Sequence, residues 1–269
     1  MAIAGTVLLD KYTIVRPIAR GASSVVYLAF DLFGTPYAVK LFPNEMASRA
    51  DREFLVGKDL HHKNLNPVLE RITLEGQPGT LMPFAPGQRF SEWVAYHGLK
   101  QFLEVFIQVL EGLSVMHEKG LVHRDLKPDN IVVSPGVRPG SLEAKLLDFD
   151  LSGPSNEVFR DRLTPGTLAY LSPEAVRGLP LTPAADLYSA GVMLYWGITG
   201  QHPFEGEPQE VMRAHLSQLP PDPSSLREGR HSHVLDQVAL RLLEKNPANR
   251  YPDALSILTA LSKATTIEG

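Results

Sequence analysis

The chain has 269 residues, enough for one large core or two lobes sharing a cleft, and its 26 Lys and Arg against 30 Asp and Glu give a net charge of -4, which argues against a generally nucleic-acid-binding surface. With no cysteine it holds neither a disulfide framework nor a thiolate zinc site, and a reducing interior such as the cytoplasm suits it. No apolar run reaches membrane-spanning length and no basic start leads into an apolar segment, so a soluble chain is expected.

In chain order, Tyr12 to Ala19, Ser24 to Phe30 and Pro36 to Leu41 are rich in Val, Ile, Tyr and Phe and separated by Gly-bearing turns, which predicts an antiparallel meander. Asn44 to Leu60 is charged and helix-compatible. Two extended stretches follow, Pro67 to Leu74 and Gly79 to Phe84, and Ala85, Pro86 and Gly87 form a connection. Beyond it the period becomes helical: Phe102, Phe106, Val109, Leu110, Leu113 and His117 share one face, and Gly120 supplies a stop. Ala184 to Thr199 is apolar all round, the mark of a helix buried in a large core. Ser134 to Ser141 and Leu219 to Ser225 are expected as surface loops. The adjacent His61 and His62 point to different faces and are a solvated pair in preference to a metal site. A small strand-rich lobe thus precedes a larger helical one, and ligands favour the cleft between two such lobes.

The segment with most chemical content is His123, Arg124, Asp125, Leu126, Lys127, Pro128, Asp129, Asn130. It matches the phosphoryl-transfer catalytic loop, and with it the sequence resembles the eukaryotic-type serine/threonine protein kinases, including their bacterial members, over about residues 10 to 260. The resemblance implies an α+β bilobal protein kinase fold with an N-terminal extension over 1–11, a small lobe over 12–84, a large lobe over 85–264 and a tail over 265–269. It implies transfer of the γ-phosphoryl group of ATP, with Mg2+ or Mn2+, to Ser or Thr of protein substrates. A cytoplasmic setting, either free or as the cytoplasmic part of a longer membrane-anchored protein, no nucleic-acid partner, and self-association for autophosphorylation are expected with it.

Carried over residue by residue, Asp125 is the base, Lys127 neutralises phosphoryl oxygens, and Asn130 and Asp148 hold the metal. Lys127 also points to serine and threonine as acceptors. Lys40 resembles the lysine that grips the phosphates, with Glu53 its helix partner, a choice supported by the His62, Lys63, Asn64 turn nine residues on. The loop from Ile18 to Val26 keeps only Gly21 of three glycines, with Ala19 and Ser24 at the other positions. Val26, Ala38 and Val132 are expected to sandwich the adenine, Met82 to close its pocket, and backbone near Ala85 to hydrogen-bond it. Thr167 is expected as a structural hydroxyl near Asp125, and Thr164 as the site of an activating autophosphorylation that recruits Arg124. Asp186 anchors the catalytic loop, and Glu174 pairs with Arg250.

Two departures stand out. Gly57, one turn after Glu53, replaces a large aliphatic residue and predicts a mobile helix that needs phosphorylation, ATP or a partner to settle inward. Asp150 replaces a glycine and is expected either to join a magnesium site or to face solvent. Together with Ala19 and Ser24 these favour a second reading, a pseudokinase that signals by shape. A small-molecule kinase is a third, opposed by the substrate ledge that Ser172, Pro173 and Glu174 resemble.

Overall fold

Strand-forming residues dominate the first 83 positions, and they assemble into one antiparallel sheet. The computed structural model describes residues 4–159, 161, 165–226 and 232–267. The sheet contains β1 (Val7–Leu8), β2 (Tyr12–Arg20), β3 (Val25–Phe30) and β4 (Pro36–Leu41), followed after helix α1 (Ala47–Gly57) by β5 (Glu70–Leu74) and β6 (Gln77–Pro83). The spatial order is β1-β2-β3-β4-β6-β5, so β6 sits in the interior beside β4. Alternation along the strands puts Tyr12, Ile14, Tyr27, Ala29, Val39, Leu41, Ile72 and Leu81 into one buried cluster. Val7 and Leu8 pair with Thr13 and Tyr12, so part of the expected N-terminal extension is an edge strand of this sheet.

Helix α1 is shorter than its charged, helix-compatible stretch. A single 3-10 turn at Asn44–Met46 precedes it, and it ends at Gly57, whose carbonyl accepts from both Leu60 N and Val68 N. Gly57 is buried, and a Cβ there would collide with the Val68 side chain. The expectation of a loosened, outward helix is therefore corrected. Val68 fills the space that a side chain at 57 would take, and α1 rests inward with Glu53 on Lys40.

The connection between lobes runs through Gly87, whose φ of 127° and close approach to the Val133 carbonyl leave no room for a side chain. There follow β7 (Gln88–Arg89), α2 (Phe90–Trp93), α3 (Leu99–Glu118), β8 (Leu121–Val122), β9 (Ile131–Pro135), β10 (Leu142–Leu146), β11 (Gly153–Pro154) and β12 (Glu157–Val158). The rest comprises α4 (Pro165–Leu168), α5 (Pro173–Val176), β13 (Pro180–Leu181), α6 (Pro183–Thr199), α7 (Pro208–Ser217), α8 (His233–Leu242) and α9 (Ala254–Ile267). The face read on α3 is buried at Phe102, Phe106, Val109, Leu110 and Leu113 and half-buried at His117, and α6 is buried nearly all round among α3 and α8. The Ser134 to Ser141 loop starts later than expected because β9 runs on to Pro135. The Leu219 to Ser225 stretch contains one 3-10 turn at Pro223–Ser225, capped by Asp222. Among the described residues no helix is long and apolar enough to cross a membrane.

Candidate active site

The sheet and the helical lobe face each other across a cleft of about 520 Å3, within the usual range of small-molecule sites. Ile18, Ala19, Gly21 and Val26 line it from the β2–β3 hairpin, which closes through a Gly21 N to Ser24 O bond of 2.9 Å. Ala38 and Met82 are direct partners across β4 and β6, which puts both on the same wall, while Val132 of β9 lies on the floor and Ala85 on the connection. The residues expected around an adenine thus line one slot.

Lys40 lies deeper in the same cleft and is almost fully buried. Its Nζ donates to Glu53 Oε1 at 2.9 Å and to Asp148 Oδ1 at 2.6 Å. Burial works against the ammonium, but the charges of Asp148, Asp150 and Glu53 outweigh it and hold the lysine charged well above its ordinary range. Burial raises the Glu53 carboxyl in turn, opposed by Lys40. A partner not expected from sequence is Thr80 on β6, whose hydroxyl donates to Glu53 Oε2 at 2.7 Å.

Asp148 follows the end of β10 with a left-handed φ of 67°, and its side chain is 34% exposed. Desolvation opposes its charge, yet Lys40 and a hydrogen bond from Asp150 hold its carboxyl far below the usual carboxylate range. Asp150 does not face solvent. It is buried, with Oδ2 3.6 Å from Lys40 Nζ and 3.5 Å from Arg49 Nη1. Burial, and then the Asp148 charge, push its carboxyl well up. The backbone at Asp150 does not need a glycine, since the left-handed residue here is Asp148.

On the large lobe, Asp125 is the centre of a network. Lys127 Nζ donates to its Oδ1 and Oδ2 at 2.9 and 2.8 Å and to Thr167 Oγ1 at 2.8 Å; Thr167 in turn donates to Asp125 Oδ1 at 2.9 Å. Asn130 Nδ2 reaches Asp125 O and Oδ2 at 2.8 and 3.0 Å, which leaves the Asn130 carbonyl oxygen as its end available to a cation. Asp186 at the start of α6 accepts from the backbone N–H of His123 and Arg124 at 2.8 and 2.9 Å and contacts His117 Nε2 at 2.9 Å. Burial opposes its charge, but the hydrogen bond from His117 and the nearby imidazoles keep its carboxyl below the usual value. These two bonds hold Arg124 at a φ of 69°, a strained conformation for a non-glycine residue. Farther off, Arg250 grips Glu174 through both guanidinium ends at 2.7 and 2.9 Å, a buried bidentate pair. Thr164 lies outside the described residues. Among the described residues no cluster of three or more His, Cys, Asp or Glu forms a separate metal site, and His61 and His62 take no part in one.

The protein kinase domain model matches residues 12–261. The chain belongs to the protein kinase family. It is similar to the serine/threonine-protein kinase PknB of Mycobacterium tuberculosis, 33% identical with 92% of this chain and 42% of that protein covered. It is also similar to pkn2 of Myxococcus xanthus, 31% identical with 96% and 33% covered, and to the probable serine/threonine-protein kinase PknB of Lactococcus lactis, 27% identical with 98% and 43% covered. The chain therefore spans less than half the length of these relatives. Its fold is that of the Mycobacterium tuberculosis PknI kinase domain, with a TM-score of 0.76 at 24% identity over 98% of this chain and 100% of that one.

Sequence reasoning missed Thr80, Arg49, Arg52 and Asp161 as members of this site. For the two arginines a signal existed, since they stand three apart just before Glu53 on one helix.

Proposed function

We propose that this kinase domain is catalytically active and transfers the γ-phosphoryl group of ATP to serine or threonine of protein substrates. The observation that carries this reading is the convergence on one cleft of the Asp125, Lys127, Thr167 network with the Lys40, Glu53 pair and Asp148. ATP lies between the small lobe over 12–84 and the large lobe over 85–264, its adenine between Val26, Ala38 and Val132 and its phosphates toward Lys40. Asp125 orients the acceptor hydroxyl and takes its proton, while Lys127 stands beside it for the phosphoryl oxygens. The donor set fits a hard divalent cation, Mg2+ or Mn2+: an amide carbonyl from Asn130 and a strongly ionised carboxylate from Asp148. Such a cation, when bound, neutralises phosphate charge.

Protein acceptors, a cytoplasmic setting with its ATP supply, no nucleic-acid partner, and self-association leading to autophosphorylation at Thr164 complete the reading. The pseudokinase alternative rests on Ala19, Ser24, Gly57 and Asp150; in the fold Ala19 and Ser24 line the cleft, Gly57 leaves α1 inward and Asp150 joins the lysine cluster.

The test is label transfer from γ-labelled ATP to a generic basic protein and a peptide library in Mg2+ and in Mn2+, with Asp125→Asn as control. Transfer to Ser or Thr that vanishes in the control is the expected result; nucleotide binding without transfer in the wild-type chain would return the pseudokinase.

A further inference from the structure

Helix α1 presents two arginines to the segment that follows Asp148, and both are already held by carboxylates. Arg52 Nη1 lies 2.5 Å from Asp161 Oδ2 and donates to the Asp150 carbonyl at 3.0 Å. Arg49, almost fully buried, places Nε 3.6 Å from Asp161 Oδ1 and Nη1 3.5 Å from Asp150 Oδ2. Each Asp161 oxygen thus faces one guanidinium. The third arginine of this region, Arg124, donates to Pro154 O at 2.7 Å and approaches Glu157 Oε2 at 3.5 Å. Arg52, Arg124, Glu157 and Asp161 line one cavity of about 650 Å3 between α1 and the segment. A phosphate on this segment would recruit arginines here, and carboxylates hold them instead. Across the helix from this contact, Glu53 meets Lys40 at 2.9 Å.

We propose that Asp161 is a positioning residue that, with Asp150, latches Arg49 and Arg52 and so holds α1 and the Lys40–Glu53 pair in the catalytic arrangement without phosphorylation of the activation segment. The inference rests on the phosphotransferase reading for its consequence, not for the latch itself. Asp161 touches no reacting group; it acts through α1. Removing the Asp161 charge takes one carboxylate from both arginines at once and loosens the hold on the helix.

The experiment uses the full chain, stripped by a phosphatase until its intact mass carries no phosphate. Two readouts are taken: kcat and KM for a peptide and ATP, and backbone hydrogen exchange over 47–57. Stripped wild-type protein is expected to keep kcat within about twofold, with α1 protected. Asp161→Asn is expected to lower kcat by roughly tenfold at nearly unchanged peptide KM and to speed exchange in α1, and Asp161→Glu to restore both. A stripped wild type that loses kcat by roughly tenfold, or Asp161→Asn with the exchange of wild type, overturns the proposal. Exchange that responds to Asp161→Asn in a chain without any transfer supports the latch and removes the phosphotransferase reading instead.

Discussion

The Thr167 hydroxyl donates to Asp125 Oδ1 at 2.9 Å while accepting from Lys127 at 2.8 Å, so one hydroxyl fixes both residues to which the proposed function gives the acceptor. Thr167 is buried at the end of the segment whose other end begins with Asp148. That end of the segment is thereby tied to the aim of the proposed base.

Thr167→Val keeps the shape and removes the hydroxyl. Asp125 then loses one donor to an ionised oxygen, worth about 1.5–3 kcal/mol, which corresponds to roughly 10- to 100-fold in rate when the carboxylate is misaimed. Steady-state kinetics should show kcat lowered by that factor with KM for ATP nearly unchanged, and Thr167→Ser should recover most of it. A loss confined to KM would contradict the arrangement.

Thr80 gives a second test, on the small lobe. Its hydroxyl satisfies Glu53 Oε2 inside a site where both residues are buried. Thr80→Val strands that oxygen at a cost of about 1–3 kcal/mol. Urea unfolding should show the loss in stability, and KM for ATP should rise because the Lys40 partner is less firmly held.

These two hydroxyls differ in how visible they were in the sequence. Asp125, Lys127 and Asn130 fall within one loop, so its resemblance to the kinase catalytic loop announces them, and Thr167 follows from its place before the Ser172, Pro173, Glu174 segment that resembles the substrate ledge. Thr80 belongs to no such pattern: its partner is 27 residues away on α1 and meets it only because β6 packs beneath that helix. Asp150 was visible as a departure from glycine, but its burial depends on Arg49, a residue in another lobe that no local spacing connects to it. The strands and the two long helices were legible because their apolar periods are strong, whereas the end of α1 was set by tertiary contact at Val68.

That contact reverses the expectation attached to Gly57. Adding a side chain there does not restore a missing support but drives into Val68. Gly57→Leu is therefore expected to destabilise the chain by about 1–3 kcal/mol, the usual cost of overpacking, and to lower activity by displacing α1. Thermal unfolding of Gly57→Ala, Val68→Ala and the double variant checks it, because the smaller residue at 68 should relieve part of the cost and show a favourable coupling. Gly57→Leu with wild-type stability would mean that Val68 does not fill the space.

Acid should act on the large lobe through His215. The ring is fully buried, with Nδ1 2.9 Å from Tyr188 Oη and Phe204 packed edge-on. Burial, and then the nearby Lys245 charge, lower its pKa to about 4 from the ordinary 6.5. Because the folded state favours the neutral ring, the stability His215 contributes is fully present above the unfolded value near 6.5 and is lost as pH falls toward 4. Between pH 7 and pH 5 the loss is about 2 kcal/mol from this group. Urea unfolding at the two pH values should show it in the wild-type chain, and His215→Gln, less stable at pH 7, should lose correspondingly less between them. An equal fall in both would place the acid sensitivity elsewhere.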